Sequence, residues 1–333
     1  MKKLLYIIIG VAFLMACSER REYVDMLERA KAVLNDRPDS ALAVLDSLGQ
    51  HEADFGKGFR MRYRLHRLNA LNKVDTLFRS ADEARELADY FDDHGTPNEQ
   101  MLAYYLLGRA YYDIHEAPMA LSCFQTASEK ADTTAADCDF RQLSRVYGQM
   151  SKVFYQQGLY EQELECEDMS IKYGWKGKDS LNALRSMGGK ISAYRLMNNP
   201  DSAIFMCEKV SALLNQYGYK DYSAAYLSSV LQELLDKGEI ETVERYIRIY
   251  EAESGYFDSN NNIEKAVRLI IIIRAYTIWQ WINMTLQNIY SEKSYGKVKT
   301  SITKMQVHEA WHSCFKRHIS QTPLPNMLSI VMR

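Results

Sequence analysis

Near the C-terminus, His308-Glu309-Ala310-Trp311-His312 places two histidines one helical turn apart with a glutamate beside the first. On a helix that spacing lets both imidazoles hold one zinc ion while the glutamate acts as general base on a metal-bound water, the chemistry of peptide hydrolysis. His318 stands where a third ligand would be supplied. Three features oppose that reading. Phe315 occupies the position at which a glycine lets the chain turn and bring the third histidine round, and no glutamate follows Glu309 to serve as another ligand. The preceding chain reads as repeated helices rather than the sheet on which such a site is built. The motif His308, Glu309, His312 is therefore set aside as a decoy, and no catalytic residue, metal or cofactor is expected.

A second reactive candidate lies at the opposite end. Lys2 and Lys3 precede an apolar run from Leu4 to Ala16, which closes on Leu14-Met15-Ala16-Cys17. A positive start, a short apolar stretch and a small residue before the cut form a secretory signal, and the run is too short to cross a bilayer comfortably as a helix. The Leu-x-Ala-Cys ending resembles the lipobox of bacterial lipoproteins, with Met15 where a small or β-branched residue is usual. The resemblance implies that residues 1–16 are removed as a signal peptide. It further implies that Cys17 carries palmitate-type acyl chains as a membrane anchor, with residues 17–22 as a lipidated linker. Ser18 after the cysteine, rather than aspartate, resembles lipoproteins sent on to the outer membrane, with the chain facing the periplasm or the cell surface. The other cysteines, Cys123, Cys138, Cys166, Cys207 and Cys314, are odd in number and lack CxxC or metal-ligand spacing, so no disulfide framework is expected.

Between these ends the chain has the composition of a folded helical protein. Its 333 residues, 47% hydrophobic and 25% charged, suffice for one large or two ordinary domains with a core. A formal net charge of -2 gives no sign of a nucleic-acid partner. With 6 prolines and 16 glycines against abundant Leu, Ala, Tyr, Met, Glu and Lys, an all-α fold is predicted. The clearest pattern runs from Met101 to Thr134. There Tyr104, Leu107, Gly108, Tyr111, Ala120, Phe124 and Ala127 have the spacing of two antiparallel helices packed knob into hole, with small residues at the closest approach. This stretch resembles a tetratricopeptide repeat (TPR) in register, and the likeness weakens in the copies on either side.

Those copies make residues 23–268 a TPR-like helical repeat domain. Tyr23 to Leu48 is predicted as a hairpin that restarts at Pro38-Asp39-Ser40-Ala41, and the same four residue types return at Pro200 to Ala203, four steps of roughly 40 residues away. Phe55 to Asn72 pairs with Thr76 to Phe91. Tyr147, Met150, Ser151, Phe154, Gly158 and Tyr160 recover the motif after the central repeat, but Glu163 replaces an alanine there, which predicts a second helix set off from its neighbour. Tyr194 and Ala203, then Leu227, Leu231, Leu234, Gly238, Ile240 and Val243, mark further copies. Gly158 and Gly238 are expected as left-handed helix ends. His66, His94 and His115 are isolated and expected at surface or cap positions, while Cys123 and Cys207 fall on second helices as small core residues.

The resemblance to TPR proteins implies an α-solenoid with a concave groove lined by first-helix positions off the packing face. Carried over residue by residue, these are Tyr105, Arg109, Tyr112 and Asp113 in the central repeat, Lys152 and Tyr155 in the next, and Arg185 and Arg195 in the one after. Aromatics beside arginines suit an extended peptide or an acidic segment, so the expected partner is a protein or peptide.

From about Leu269 the repeat grammar stops. Ile270 to Ile273 is a four-isoleucine run, and Trp279, Trp281 and Trp311 follow without helical periodicity. Residues 269–333 therefore read as an aberrant, irregular tail whose reading frame has shifted. Regrouping the codons of Trp279-Gln280, Trp281-Ile282 and Met284-Thr285 forces Ala, Asp and Asp, after which Ser-Ala can follow to restore the Asp-Ser-Ala of the repeats. The expected function is a noncatalytic scaffold for protein interaction, anchored to the cell envelope. The alternatives are a truncated periplasmic sensor region of an envelope signalling protein, or a glycan-capture lipoprotein similar to the starch-utilisation type.

Overall fold

The computed structural model describes residues 21–254, and every regular element among them is a helix. Cys17 and the signal segment, the motif His308, Glu309, His312, and the tail from Leu269 lie outside the described residues.

Helices begin where the sequence supplies a start. Proline takes the first position of α2 (Pro38–Gly49), α5 (Pro97–Asp113) and α10 (Pro200–Gln216), where an N–H would have no intrahelical partner and the fixed φ fits. Thr96 and Glu99 form a reciprocal capping box on α5: the Glu99 amide donates to Thr96 Oγ1 at 3.3 Å and the Thr96 amide to Glu99 Oε2 at 2.9 Å. Asp139, Asp179 and Asn199 cap α7 (Phe140–Gln156), α9 (Ser180–Leu196) and α10 by accepting from the amides of Gln142, Asn182 and Ser202. The remaining helices of this part are α1 (residues 21–33), α3 (Lys57–Lys73), α4 (Asp82–His94), α6 (Ala117–Lys130) and α8 (Tyr160–Lys176).

Helix ends share one device. Asp75, His115, Gly158, Lys178, Asn198, Gly218 and Gly238 adopt left-handed backbone, with φ of +73° and +75° at the two predicted glycines, Gly158 and Gly238. Each lets the next amide reach a carbonyl one turn back, as in Leu159 to Phe154 at 2.9 Å and Asn199 to Tyr194 at 2.8 Å. The last five positions advance in steps of twenty residues, half the period read from the sequence. Lys178 and Asn198 occupy two of those steps without being glycine, so glycine spacing revealed only part of the register.

Small residues decide how closely consecutive helices approach. At Gly108 on α5 a Cβ would stand 2.5 Å from Phe124 Cε1 on α6, and Phe124, Ala120 and Ala127 are fully buried. One apolar cluster runs on from there through Leu65, Leu87, Phe91, Leu106 and Val146. A second, built from Leu27, Ala30, Leu34, Leu45 and Leu48, joins α1 and α2 to Tyr63 of α3. Across repeat boundaries the first helices α3, α5, α7 and α9 also touch in succession, so they share one face.

Contrary to the expectation from Glu163, α8 is not set off from its neighbour. Ser144, Gly148 and Ser151 on α7 leave room for close approach, Ser144 Oγ donates to the Ser170 carbonyl at 2.7 Å, and Ser170 Oγ returns a bond to the Ser144 carbonyl at 2.9 Å. Glu163 is accommodated inside this interface at 3% exposure.

The chain divides into two compact units between Tyr219 and Lys220. In the second, α11 (Lys220–Ser229), α12 (Leu231–Asp236) and α13 (Ile240–Glu253) follow one another, with Ala224 and Tyr250 buried together. The first helix of the copy marked by Leu227 and Leu231 is interrupted at Val230. There the Ser228 and Ser229 hydroxyls donate back to the carbonyls of Ala225 and Tyr226, both at 2.7 Å, in competition with regular helix bonding.

Candidate partner-binding face

The face shared by α3, α5, α7 and α9 carries long polar side chains that tilt toward each helix N-terminus. Arg109 at its centre is fully engaged. Its Nε donates to Asn72 Oδ1 at 3.1 Å, Nη1 to Gln149 Oε1 at 2.8 Å and Nη2 to Asp113 Oδ1 at 3.0 Å. The guanidinium also lies 5.2 Å from the Tyr112 ring centroid. The Asp113 side chain, 3% exposed, accepts the Phe78 amide on its other oxygen at 3.1 Å, and Tyr112 Oη accepts from Gln156 Nε2 at 2.6 Å. Arg109, Tyr112 and Asp113, expected to meet a partner, thus tie α3, α5 and α7 together.

Tyr105 corrects the sequence-based expectation. It is 4% exposed, with its ring 6.0 Å from that of Phe124, and belongs to the interior of the α5/α6 hairpin. Its neighbour Tyr104 is the half-buried one, 5.8 Å beneath Lys130 Nζ, with burial and the nearby Asp92 carboxylate raising its hydroxyl pKa.

Lys152, Tyr155, Arg185 and Arg195 are exposed. Lys152 stands within electrostatic range of both Arg109 and Arg185, while Tyr155 leans toward Tyr160 at the α7/α8 turn. Lys152 keeps solvent contact yet is ringed by neighbouring helices. This partial desolvation, together with the Arg109 and Arg185 charges, holds its ammonium below the usual lysine range against the pull of Glu167.

A further cluster of charge was missed in the sequence. Arg141 and Arg145, one turn apart on α7, share a single carboxylate oxygen, Asp179 Oδ2, at 3.6 and 3.4 Å. Asp179 Oδ1 is already committed to the α9 cap at 3.2 Å. Arg145 also donates to Asn35 Oδ1 at 3.1 Å, in the turn after α1. Lys73 at the end of α3 completes the cluster; burial and then the Arg145 charge push its pKa down to about 7. The i, i+4 pair Arg141/Arg145 beside the apolar stripe of Leu143, Val146 and Val153 was the available signal.

The described histidines and cysteines play other parts. His66 is half-buried rather than on the surface, its pKa lowered to about 4 chiefly by burial, while His94 stacks on Tyr90 at 4.5 Å and His115 is the exposed left-handed residue after α5. Cys123, Cys166 and Cys207 are buried on second helices and form no disulfide among the described residues, and burial pushes the Cys123 thiol up to about 11. Among the described residues no group of His, Cys, Asp and Glu has the arrangement to hold a metal ion, and no helix is long and apolar enough to cross a membrane.

No protein-family model and no curated protein matches the chain. Solved structures do. The apo form of RapI is similar with a TM-score of 0.65 at 11% identity, over 89% of this chain and 86% of that one. A Rap protein complexed with competence and sporulation factor gives 0.51 at 12% identity, over 88% and 78%. The apo form of the quorum sensor NprR from B. thuringiensis gives 0.52 at 11% identity, over 90% and 82%. At such identities the likeness speaks to fold alone: this is a TPR-like helical-repeat protein.

Proposed function

We propose that the chain is a noncatalytic protein-interaction scaffold, held at the cell envelope by an acylated Cys17, whose first-helix face receives an acidic, extended segment of a partner protein or peptide. The observation that carries this reading is the charge imbalance at the start of α7. Lys73, Arg141 and Arg145 are three cations against two carboxylates, that of Asp179, one oxygen of which both arginines share, and that of Asp139, which caps α7, and Lys73 has neither hydrogen bond nor ion pair among the described residues. An incoming carboxylate supplies the missing acceptors, and charge-assisted bonds of that kind are stronger than neutral ones. The similar fold of a Rap protein complexed with competence and sporulation factor supports the use of such helices for binding.

Fluorescence anisotropy with labelled oligoglutamate and oligolysine tests the face. Oligoglutamate is expected to bind in a salt-sensitive way, and Lys73→Ala with Arg145→Ala to weaken it roughly tenfold or more. Equal binding of both peptides, or affinity untouched by the two substitutions, removes the reading. For the anchor, cells fed labelled palmitate should mark the native chain and not Cys17→Ser; label absent from the native chain ends that part.

A further inference from the structure

The α7/α8/α9 interface encloses two carboxyl groups on consecutive turns of α8. Glu163 and Glu167 are 3% and 7% exposed, and Oε2 of each has no hydrogen-bond partner. From α7 the Ser151 hydroxyl donates to Glu167 Oε1. From α9, Gly189 makes the space: a Cβ there would stand 2.5 Å from Glu167 Oε1 and 3.0 Å from its Cδ. Ser186, also on α9, lies beside Glu167 and pairs its hydroxyl with that of Ser170 on α8 at 2.7 Å.

Cations are near but not engaged. Lys152 on α7 and Lys190 on α9 both face Glu167, yet Lys190 Nζ is spent on Asp168 Oδ1 at 2.6 Å, and neither lysine forms an ion pair with Glu163 or Glu167 among the described residues. Cys166 on α8 also lies within electrostatic range of Glu167, as it does of Glu165, and neither supplies positive charge. Two ionised carboxylates so placed would be desolvated, would have the Lys152 and Lys190 charges only at a distance and would repel each other.

We propose that Glu163 and Glu167 form a proton-operated latch: the α7/α8/α9 interface is assembled around protonated carboxyls, and their ionisation loosens α8 from both neighbours. Burial raises both groups to about 7, with the Glu167 charge adding to the shift at Glu163 and the Ser151 and Ser186 bonds opposing it at Glu167. Because the folded values lie above the ordinary 4.5, the folded state binds more protons. The stabilisation is full below about pH 4.5 and is lost as pH rises through about 7. The device is independent of any partner.

Thermal unfolding of the full chain from about pH 5.5 to about pH 8 tests it. The native midpoint is expected to fall by roughly 5–10 °C across that window, and Glu163→Gln with Glu167→Gln to remove most of the fall. A double variant whose profile runs parallel to the native one overturns the latch. Should that variant not fold, native protein labelled with carbon-13 at the glutamate carboxyls decides: two resonances titrating near neutrality support the latch, and every resonance titrating near the ordinary glutamate value overturns it.

Discussion

Replacing Phe124 by alanine is expected to lower the unfolding free energy by about 3–5 kcal/mol, read from the urea midpoint of the helical signal. Phe124 is fully buried and its ring lies across Gly108, with Tyr105 on its flank at 6.0 Å. Removing the ring opens a cavity that the α5 and α6 backbones cannot close, because Ala120 and Ala127 already hold them at their nearest approach. The partner substitution gives the geometry away. Gly108→Ala alone puts a methyl 2.5 Å from Phe124 Cε1 and should cost roughly 1–3 kcal/mol through overpacking. In the Phe124→Ala background the same methyl enters empty space and gains helix propensity, so it should be neutral or stabilising. Additive costs for the two changes would show that ring and glycine do not face each other.

That pairing was legible in the sequence because a glycine and a phenylalanine at repeat spacing describe one local contact. Local rules account for most of the fold: proline at the start of α2, α5 and α10, and left-handed glycines at Gly158 and Gly238. Three features were not legible, for separate reasons. Tyr104 and Tyr105 are adjacent on a helix, both border the apolar stripe, and periodicity does not decide which of them turns inward. Glu163 reads as a spacer until the small residues on the facing helix are known, since whether a carboxyl is excluded or enclosed depends on Ser144, Gly148 and Ser151. The Arg145 bond to Asn35 joins the turn after α1 to α7, and no helical period reports a contact between elements so distant along the chain.

Arg109 is where the two levels of reading diverge most, and its replacement separates them. As a partner-binding residue it would be dispensable to folding, and Arg109→Ala would leave stability within roughly 0.5 kcal/mol of native, as surface changes usually do. The structure gives it another burden. Three donor atoms of one guanidinium hold Asn72, Gln149 and Asp113 on three successive first helices, and the Asp113 side chain is only 3% exposed. Without Arg109 that carboxylate keeps, among the described residues, the Phe78 amide as its only other bonded partner and loses its counter-ion, so Arg109→Ala is expected to cost about 3–4 kcal/mol. Most of that cost belongs to the stranded charge rather than to the pair itself. Asp113→Asn added to Arg109→Ala should therefore recover part of the loss, whereas Asp113→Asn alone should destabilise. Chemical denaturation of the three variants measures the coupling, and a double variant no more stable than Arg109→Ala would place the cost in the lost bonds to Asn72 and Gln149 instead.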